Sequence, residues 1–189
     1  MELVSEAIIF AVKAHDGMRR KKTDVPYILH PLEAASIVGT MTDDQEIIAA
    51  AVLHDVVEDT DITIDMIEEK FGERVRYFVS SETENKRSDL PAKDTWRIRK
   101  EESLEDLRNA SDLGVLMLWI GDKLSNVRSL YRDLKIEGSR LWERFNQKDV
   151  NEHAWYYNEI VKLTERLCDT SAWKEFKALV ELVFNNRGN

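Results

Sequence analysis

Apolar residues recur along this chain at the three- and four-residue spacing of helices, not in the alternation expected of strands. Leu3 to Ala14 sets Ile8, Ile9, Ala11 and Val12 at helical spacing and predicts a first amphipathic helix ending near His15-Asp16-Gly17. Pro31 suits the first position of a second helix through Leu32 to Thr40, which puts His30 at that helix's mouth. Thr42 or Asp43 is placed to cap a central helix running to about Val57. Asp61-Ile62-Thr63 leads into a helix over Ile64 to Phe71, and Gly72 ends it. Glu73 to Ser81 continues with Val75, Phe78 and Val79 inward. The polar stretch Glu82 to Asp94, with Pro91, has no periodicity and predicts a loop long enough to act as a lid or specificity element. Thr95 caps a charged helix, and Ser111 or Asp112 caps the most apolar one, Leu113 to about Leu130. An irregular connection over Glu137 to Lys148 precedes two amphipathic helices, about Val150 to Leu167 and Ser171 to Asn185. No repeat, linker or convincing strand interrupts the pattern. The expected fold class is all-α, one domain over residues 1–189.

Composition narrows the function. A hydrophobic share of 43% supports a core, and 33% charged residues with 7 Gly and 3 Pro favour helices. The formal net charge of −9 argues against general nucleic-acid binding and against an anionic membrane surface. Any polyanionic substrate must then be met by a local basic cluster and a metal. With no signal peptide and no run of 18 apolar residues, the expected compartment is the cytoplasm. The single Cys168 excludes an internal disulfide and, near Leu163 and Leu167, reads as a buried inert thiol. The five Trp fall mostly at core spacing, and His15 and His153 read as capping or packing residues.

Chemistry concentrates in Ala49 to Thr60, AAAVLHDVVEDT. The apolar run delivers His54, Asp55, Glu58 and Asp59 within six positions, and on a helix His54 and Glu58 lie one turn apart. Imidazole and carboxylate are borderline-hard ligands suited to Mn, Fe, Zn or Mg. Glu58 and Asp59 are placed to orient or deprotonate a water. Two further stretches add ligand types. YILHP supplies His30, and WIGDKLSN supplies Asp122 as the first charge after an apolar run. Asn126 follows Asp122 by one turn, and Ser129 falls near the same face. Arg19-Arg20-Lys21-Lys22, closed by Thr23-Asp24-Val25-Pro26, is the one dense basic cluster and is suited to phosphate contact through Arg20 or Lys21. Lys86, Arg87, Arg99 and Lys100 form a second basic set. No Gly-rich phosphate cradle is present, so ATP-driven chemistry is not expected.

Together, His30, His54, Asp55 and Asp122 resemble the H…HD…D ligand set of the HD-domain metal-dependent phosphohydrolases. HDVVEDT, with RRKKTDVPYILHP and GDKLSNVRSL, is similar to the hydrolase domain of RelA/SpoT proteins, above all the stand-alone small alarmone hydrolases. The likeness runs from about His15 to Leu130, with a weaker helical match after that. It implies a helical HD-domain fold and Mn²⁺ on those four ligands, with Glu58 and Asp59 as the catalytic pair. The substrate contacts it points to are Arg20, Lys21, Thr23, Asn126 and Ser129. Trp96, Arg99 and Lys100 match a Trp-x-x-Arg-Lys of the family, whereas Met18 and Lys22 stand where its members often have glutamine and glycine. The implied partner is a small phosphorylated nucleotide, not nucleic acid or a membrane. The implied reaction removes 3′-pyrophosphate from guanosine tetraphosphate and pentaphosphate, and a chain of this length is expected to degrade alarmone and not to make it. Two alternatives stay open. One is an HD phosphohydrolase for another nucleotide, such as a deoxynucleoside monophosphate, ppApp or a phosphorylated nicotinamide dinucleotide. The other is a non-catalytic nucleotide-sensing module.

Overall fold

Capping side chains set where five of the ten described α-helices begin. The computed structural model describes residues 1–84, 87 and 89–185, with Ala92 and Lys93 described for the backbone alone. Ten α-helices follow one another among the described residues: α1 (Leu3–Ala14), α2 (Leu29–Val38), α3 (Gln45–Leu53), α4 (Val56–Asp59), α5 (Ile64–Phe71), α6 (Glu73–Ser80), α7 (Ala92–Asn109), α8 (Leu113–Glu137), α9 (Val150–Leu163) and α10 (Ser171–Val180). The one β-type pairing described is an isolated bridge between Arg19 and Pro26, so the fold is all-α. Asp112 accepts from the Gly114 amide at 2.7 Å, Asp149 from Asn151 at 2.8 Å and Thr170 from Trp173 at 3.2 Å. Each satisfies one of the amides that a helix start leaves unpaired.

The central helix departs from expectation in two ways. Its cap is Asp44, not Thr42 or Asp43, and its carboxylate accepts from the Glu46 amide at 3.0 Å. Arg74 from α6 decides between these neighbours by bonding both Asp44 and Glu46. The helix also stops at Leu53, and His54 and Asp55 form a turn before the short α4. The His54 ring nitrogen Nδ1 reaches the Ala51 carbonyl at 2.8 Å. That carbonyl would receive the Asp55 amide in an unbroken helix, so the side chain competes with the backbone at this turn.

Other boundaries shift. The charged helix α7 starts after Pro91, which leaves Thr95 buried inside it and not at its cap. Helix α8 runs seven residues beyond Leu130 to Glu137 and ends at Gly138, whose φ of 59° suits a residue without Cβ. The expected irregular connection contains a 3₁₀ segment over Gly138–Arg144. Cys168 is exposed, not buried, because Leu167 takes the inward position in the turn before α10. Lys86 lies outside the described residues.

Helix α8 is the spine. It packs against α2, α3, α6 and α10, while α1 and α2 pack on α3 and α7 packs on α9. Leu53, Phe78, Leu116, Ile120, Leu124, Ile160 and Phe176 are fully buried around it. Gly121 lets α2 approach closely, since a Cβ there would meet Val38 Cγ2 at 2.6 Å and the Ala34 carbonyl oxygen at 2.9 Å. The contact brings His30 on α2 level with Asp122 on α8. No described helix is long and apolar enough to cross a membrane.

Candidate metal centre and its cavity

Three elements converge on one polar point: the first turn of α2, the α3–α4 turn and the middle of α8. His30, His54 and Asp122 are all buried and offer ligand atoms within 4.8 Å of one another. His30 Nε2 lies 3.0 Å from Asp122 Oδ1 and 3.4 Å from Asp55 Oδ2. His54 Nε2 lies 3.1 Å from Asp55 Oδ2 and 3.7 Å from Asp122 Oδ1. The two imidazoles meet edge to face with centroids 5.2 Å apart. All four residues of the sequence motif therefore face one another.

Their chemistry fits a cation. In a neutral imidazole one ring nitrogen carries hydrogen and the other a lone pair. His54 Nδ1 donates to Ala51, which leaves the lone pair on Nε2, and that buried nitrogen has no hydrogen-bond partner. It looks onto two carboxylates, an arrangement that repels itself unless a positive charge lies between. Burial opposes charging of His54, yet Asp55 and Asp122 outweigh it and hold its pKa well above the usual imidazole value, so without a cation a proton takes the place on Nε2 that a metal would occupy. His30, more dominated by burial, is pushed down. Burial also works against the Asp122 carboxylate, but Lys123 and the two histidines keep it far below the usual range.

The carboxylates are held from outside. The Tyr27 hydroxyl donates to Asp55 Oδ2 at 2.6 Å, and Asn126 Nδ2 donates to Asp122 Oδ1 at 2.5 Å. Lys123 also bonds Asp122. Arg20 Nη2 donates to Asn126 Oδ1 at 2.8 Å, so the basic loop reaches the centre through a single amide. That loop is folded on itself, with Arg20 N bonded to the Val25 carbonyl and Thr23 Oγ1 to the Arg20 carbonyl. Lys22 sits at a φ of 56°, in the left-handed region that favours glycine, and its ammonium is tied to the Glu143 carbonyl.

Of the expected catalytic pair, Glu58 lines the same polar cavity of about 180 Å³ as the four converging residues. Its carboxylate accepts from the Glu84 amide at 3.5 Å. Asp59 does not line that cavity and acts electrostatically on Tyr27 and His15. Of the expected substrate contacts, Arg20 and Asn126 line this cavity and also a larger one of about 350 Å³. Lys21, Thr23 and Ser129 line the larger one and not the polar one, and its walls include Trp96, Phe145, Tyr156 and Tyr157. In the second basic set, Arg99 and Lys100 point inward and pair with Glu84, whereas Arg87 pairs with Glu102 at the surface. His15 caps α1 through Ala11, and His153 packs among Trp96, Trp142 and Phe145, as expected of both.

The sequence reading missed Glu82. It lies in the polar cavity, both carboxyl oxygens are buried without a hydrogen-bond partner, and burial pushes its pKa up to about 8. Nothing in an aperiodic polar stretch distinguishes it from its neighbours. Tyr27 could have been found, because it precedes His30 by three residues and so shares its side of the chain.

Residues 7–149 match the family described as HD domain. A guanosine-3′,5′-bis(diphosphate) 3′-pyrophosphohydrolase of Aquifex aeolicus is 38% identical over 130 residues, covering 69% of this chain and 18% of that protein. A protein of Listeria monocytogenes EGD-e, lmo0812, shares the structure at a TM-score of 0.73 with 32% identity, covering 83% of this chain and 99% of the other. A metazoan orthologue of SpoT that hydrolyses ppGpp matches at a TM-score of 0.73 over 100% of this chain and 97% of its own, and at 23% identity it bears on the fold alone. The chain spans about 15–25% of the length of the curated relatives it matches. A buried His/Asp cluster on a helical frame and a match over most of the length agree: this chain belongs to the HD-domain family, and its curated relatives carry RelA/SpoT-type names.

Proposed function

We propose that this protein is a divalent-metal phosphohydrolase that removes pyrophosphate from the 3′ position of guanosine tetraphosphate and pentaphosphate. The observation that carries the reading is the facing of two buried imidazole Nε2 atoms and two carboxylates at 3.0–3.7 Å. His30, His54, Asp55 and Asp122 would hold the cation, with Mn²⁺ as the metal, and it would supply Lewis acidity at a phosphoryl oxygen. Glu58 and Asp59 would orient water, take up its proton and pass it to the 3′ oxygen as its bond to phosphorus breaks. Arg20, Lys21 and Lys100 lower the cost of bringing a polyanion against this acidic centre. The aromatic walls of the larger cavity offer a surface on which the nucleoside stacks.

The test is a panel of phosphorylated nucleotides with Mn²⁺ present: guanosine tetraphosphate, ppApp, deoxynucleoside monophosphates and NADPH. Pyrophosphate release from the guanosine compound is expected, and His54→Ala should lose both that activity and the bound metal. Binding of guanosine tetraphosphate without turnover by the metal-loaded protein would leave only a sensing module. Preferred turnover of another compound in the panel would reassign the substrate.

A further inference from the structure

Behind His30 a second set of contacts runs away from the metal centre. His30 Nδ1 lies 2.9 Å from the hydroxyl of Ser125, which is 2% exposed. The Ser125 hydroxyl donates to Glu33 Oε2 at 2.8 Å. Glu33 Oε1 accepts from Arg128 Nη1 at 3.1 Å, and the same guanidinium grips Glu175 of α10 with two bonds of 2.7 Å each. One line of polar atoms thus joins α2, α8 and α10.

Hydrogen counting gives this line a direction. A serine hydroxyl has one hydrogen, and here Glu33 receives it. Toward His30 the Ser125 oxygen can therefore only accept, so Nδ1 must carry the imidazole hydrogen. The lone pair is then fixed on Nε2, the nitrogen that faces Asp55 and Asp122. His54 reaches the same tautomer by a different route, through the Ala51 carbonyl. A backbone carbonyl cannot reverse its role. A serine hydroxyl can, unless a pure acceptor holds its hydrogen.

We propose that Glu33, acting through Ser125, is a positioning residue that locks His30 in its metal-binding tautomer and so sets the cation affinity of the centre. The inference rests on the reading of His30 as a ligand. Arg128 serves the same end: its bond keeps the Glu33 carboxylate over Ser125, while Glu175 keeps Arg128 in place. Glu33→Gln keeps the size but adds an amide donor. The amide can turn its NH₂ to Ser125, which frees the hydroxyl to donate to His30 Nδ1 and moves the lone pair to the wrong nitrogen.

Outer partners of metal-bound histidines typically change metal affinity by about 10–100-fold. Mn²⁺ affinity of the purified full chain, measured by calorimetry, should fall by that factor in Ser125→Ala and Glu33→Gln, and Ser125→Thr should restore it. Nitrogen-15 spectra of the histidines in metal-free protein provide a readout that packing alone would not move. His30 should carry its hydrogen on Nδ1 in the wild type and shift toward the other tautomer in Glu33→Gln. His30→Ala separates the two claims. If it loses the metal while Ser125→Ala and Glu33→Gln bind Mn²⁺ like the wild type, the positioning role is overturned and the ligand assignment stands. If His30→Ala itself binds Mn²⁺ normally, both fall together.

Discussion

The two adjoining cavities are built from opposite materials. The smaller one, about 180 Å³, is walled by His30, His54, Asp55, Glu58, Glu82, Glu84 and Asp122, with Arg99 tied to Glu84 and hardly any apolar surface. The larger, about 350 Å³, sets aromatic rings beside Arg20, Lys21, Lys100, Lys123 and Arg144. Arg20, Tyr27, Lys100, Lys123 and Asn126 belong to both and form the boundary. An acidic pocket holds a cation but repels phosphate, and a basic aromatic pocket does the reverse. A phosphorylated nucleotide satisfies both only by lying across the boundary, with one phosphate group at the metal end. On the proposed reading, chemistry falls to the smaller cavity and affinity to the larger.

Rate measurements break this division most sharply. Glu58→Gln and Asp59→Asn should keep the metal and lower kcat by about 10²–10⁴-fold, the usual worth of a positioned acid–base group. The two are not placed alike, since only Glu58 lines the acidic cavity, so its variant should show the larger loss. A loss below tenfold in both would make the pair structural. On the other side, Arg20→Ala combined with Lys21→Ala should raise KM by roughly ten- to a hundredfold and leave kcat nearly unchanged. Contacts made equally in ground and transition states behave in that way. The effect should shrink with added salt and with a substrate bearing fewer phosphates. A constant KM under both changes would return this loop to the solvated surface.

A further effect, on stability and not on turnover, concerns Glu82. Its carboxyl has a pKa of about 8 in the folded protein, raised by burial, with Lys123, His54, Asp122 and Asp55 around it. In the unfolded chain a glutamate ionises near about 4.3. Between these values the folded state holds a proton that the unfolded state has released, so stability falls as pH rises through this window. The slope from one group is at most about 1.4 kcal/mol per pH unit. Denaturant unfolding of metal-free wild type and Glu82→Gln at several pH values gives the difference. Parallel stability profiles would mean that Glu82 is already ionised in the folded state.

The metal-centre cluster was legible in the sequence because each of its members stands beside a strong local signal. His30 precedes a proline at a helix start, His54-Asp55 follows an apolar run, and Asp122 ends another. The stop at Gly72 was legible for the same reason, while the cap of α8 was narrowed only to Ser111 or Asp112, of which the structure uses Asp112. Thr42, Asp43 and Asp44 are all good caps, and propensity could not choose among them. The choice was made by Arg74, 30 residues away in sequence. The break at His54 was equally hidden, since it arises from a side chain bonding the Ala51 carbonyl. Glu33 and Ser125 lie one helical turn from His30 and Asp122, so spacing alone could have singled them out. Glu82 offered no such cue.

The close packing of α2 on α8 at Gly121 has a consequence for how the protein assembles. His30, His54-Asp55 and Asp122 come from segments far apart in the chain, so their convergence requires long loops to close first. No fragment lacking α8 can present the full proposed ligand set, so a cation held by these four residues would bind the finished fold in preference to the unfolded chain. By mass action, a cation at a hundred times its dissociation constant adds about 2.7 kcal/mol to folding stability. If the cation is held as proposed, the melting temperature should rise with metal supply, and a cell short of the metal would hold a less durable population of the protein.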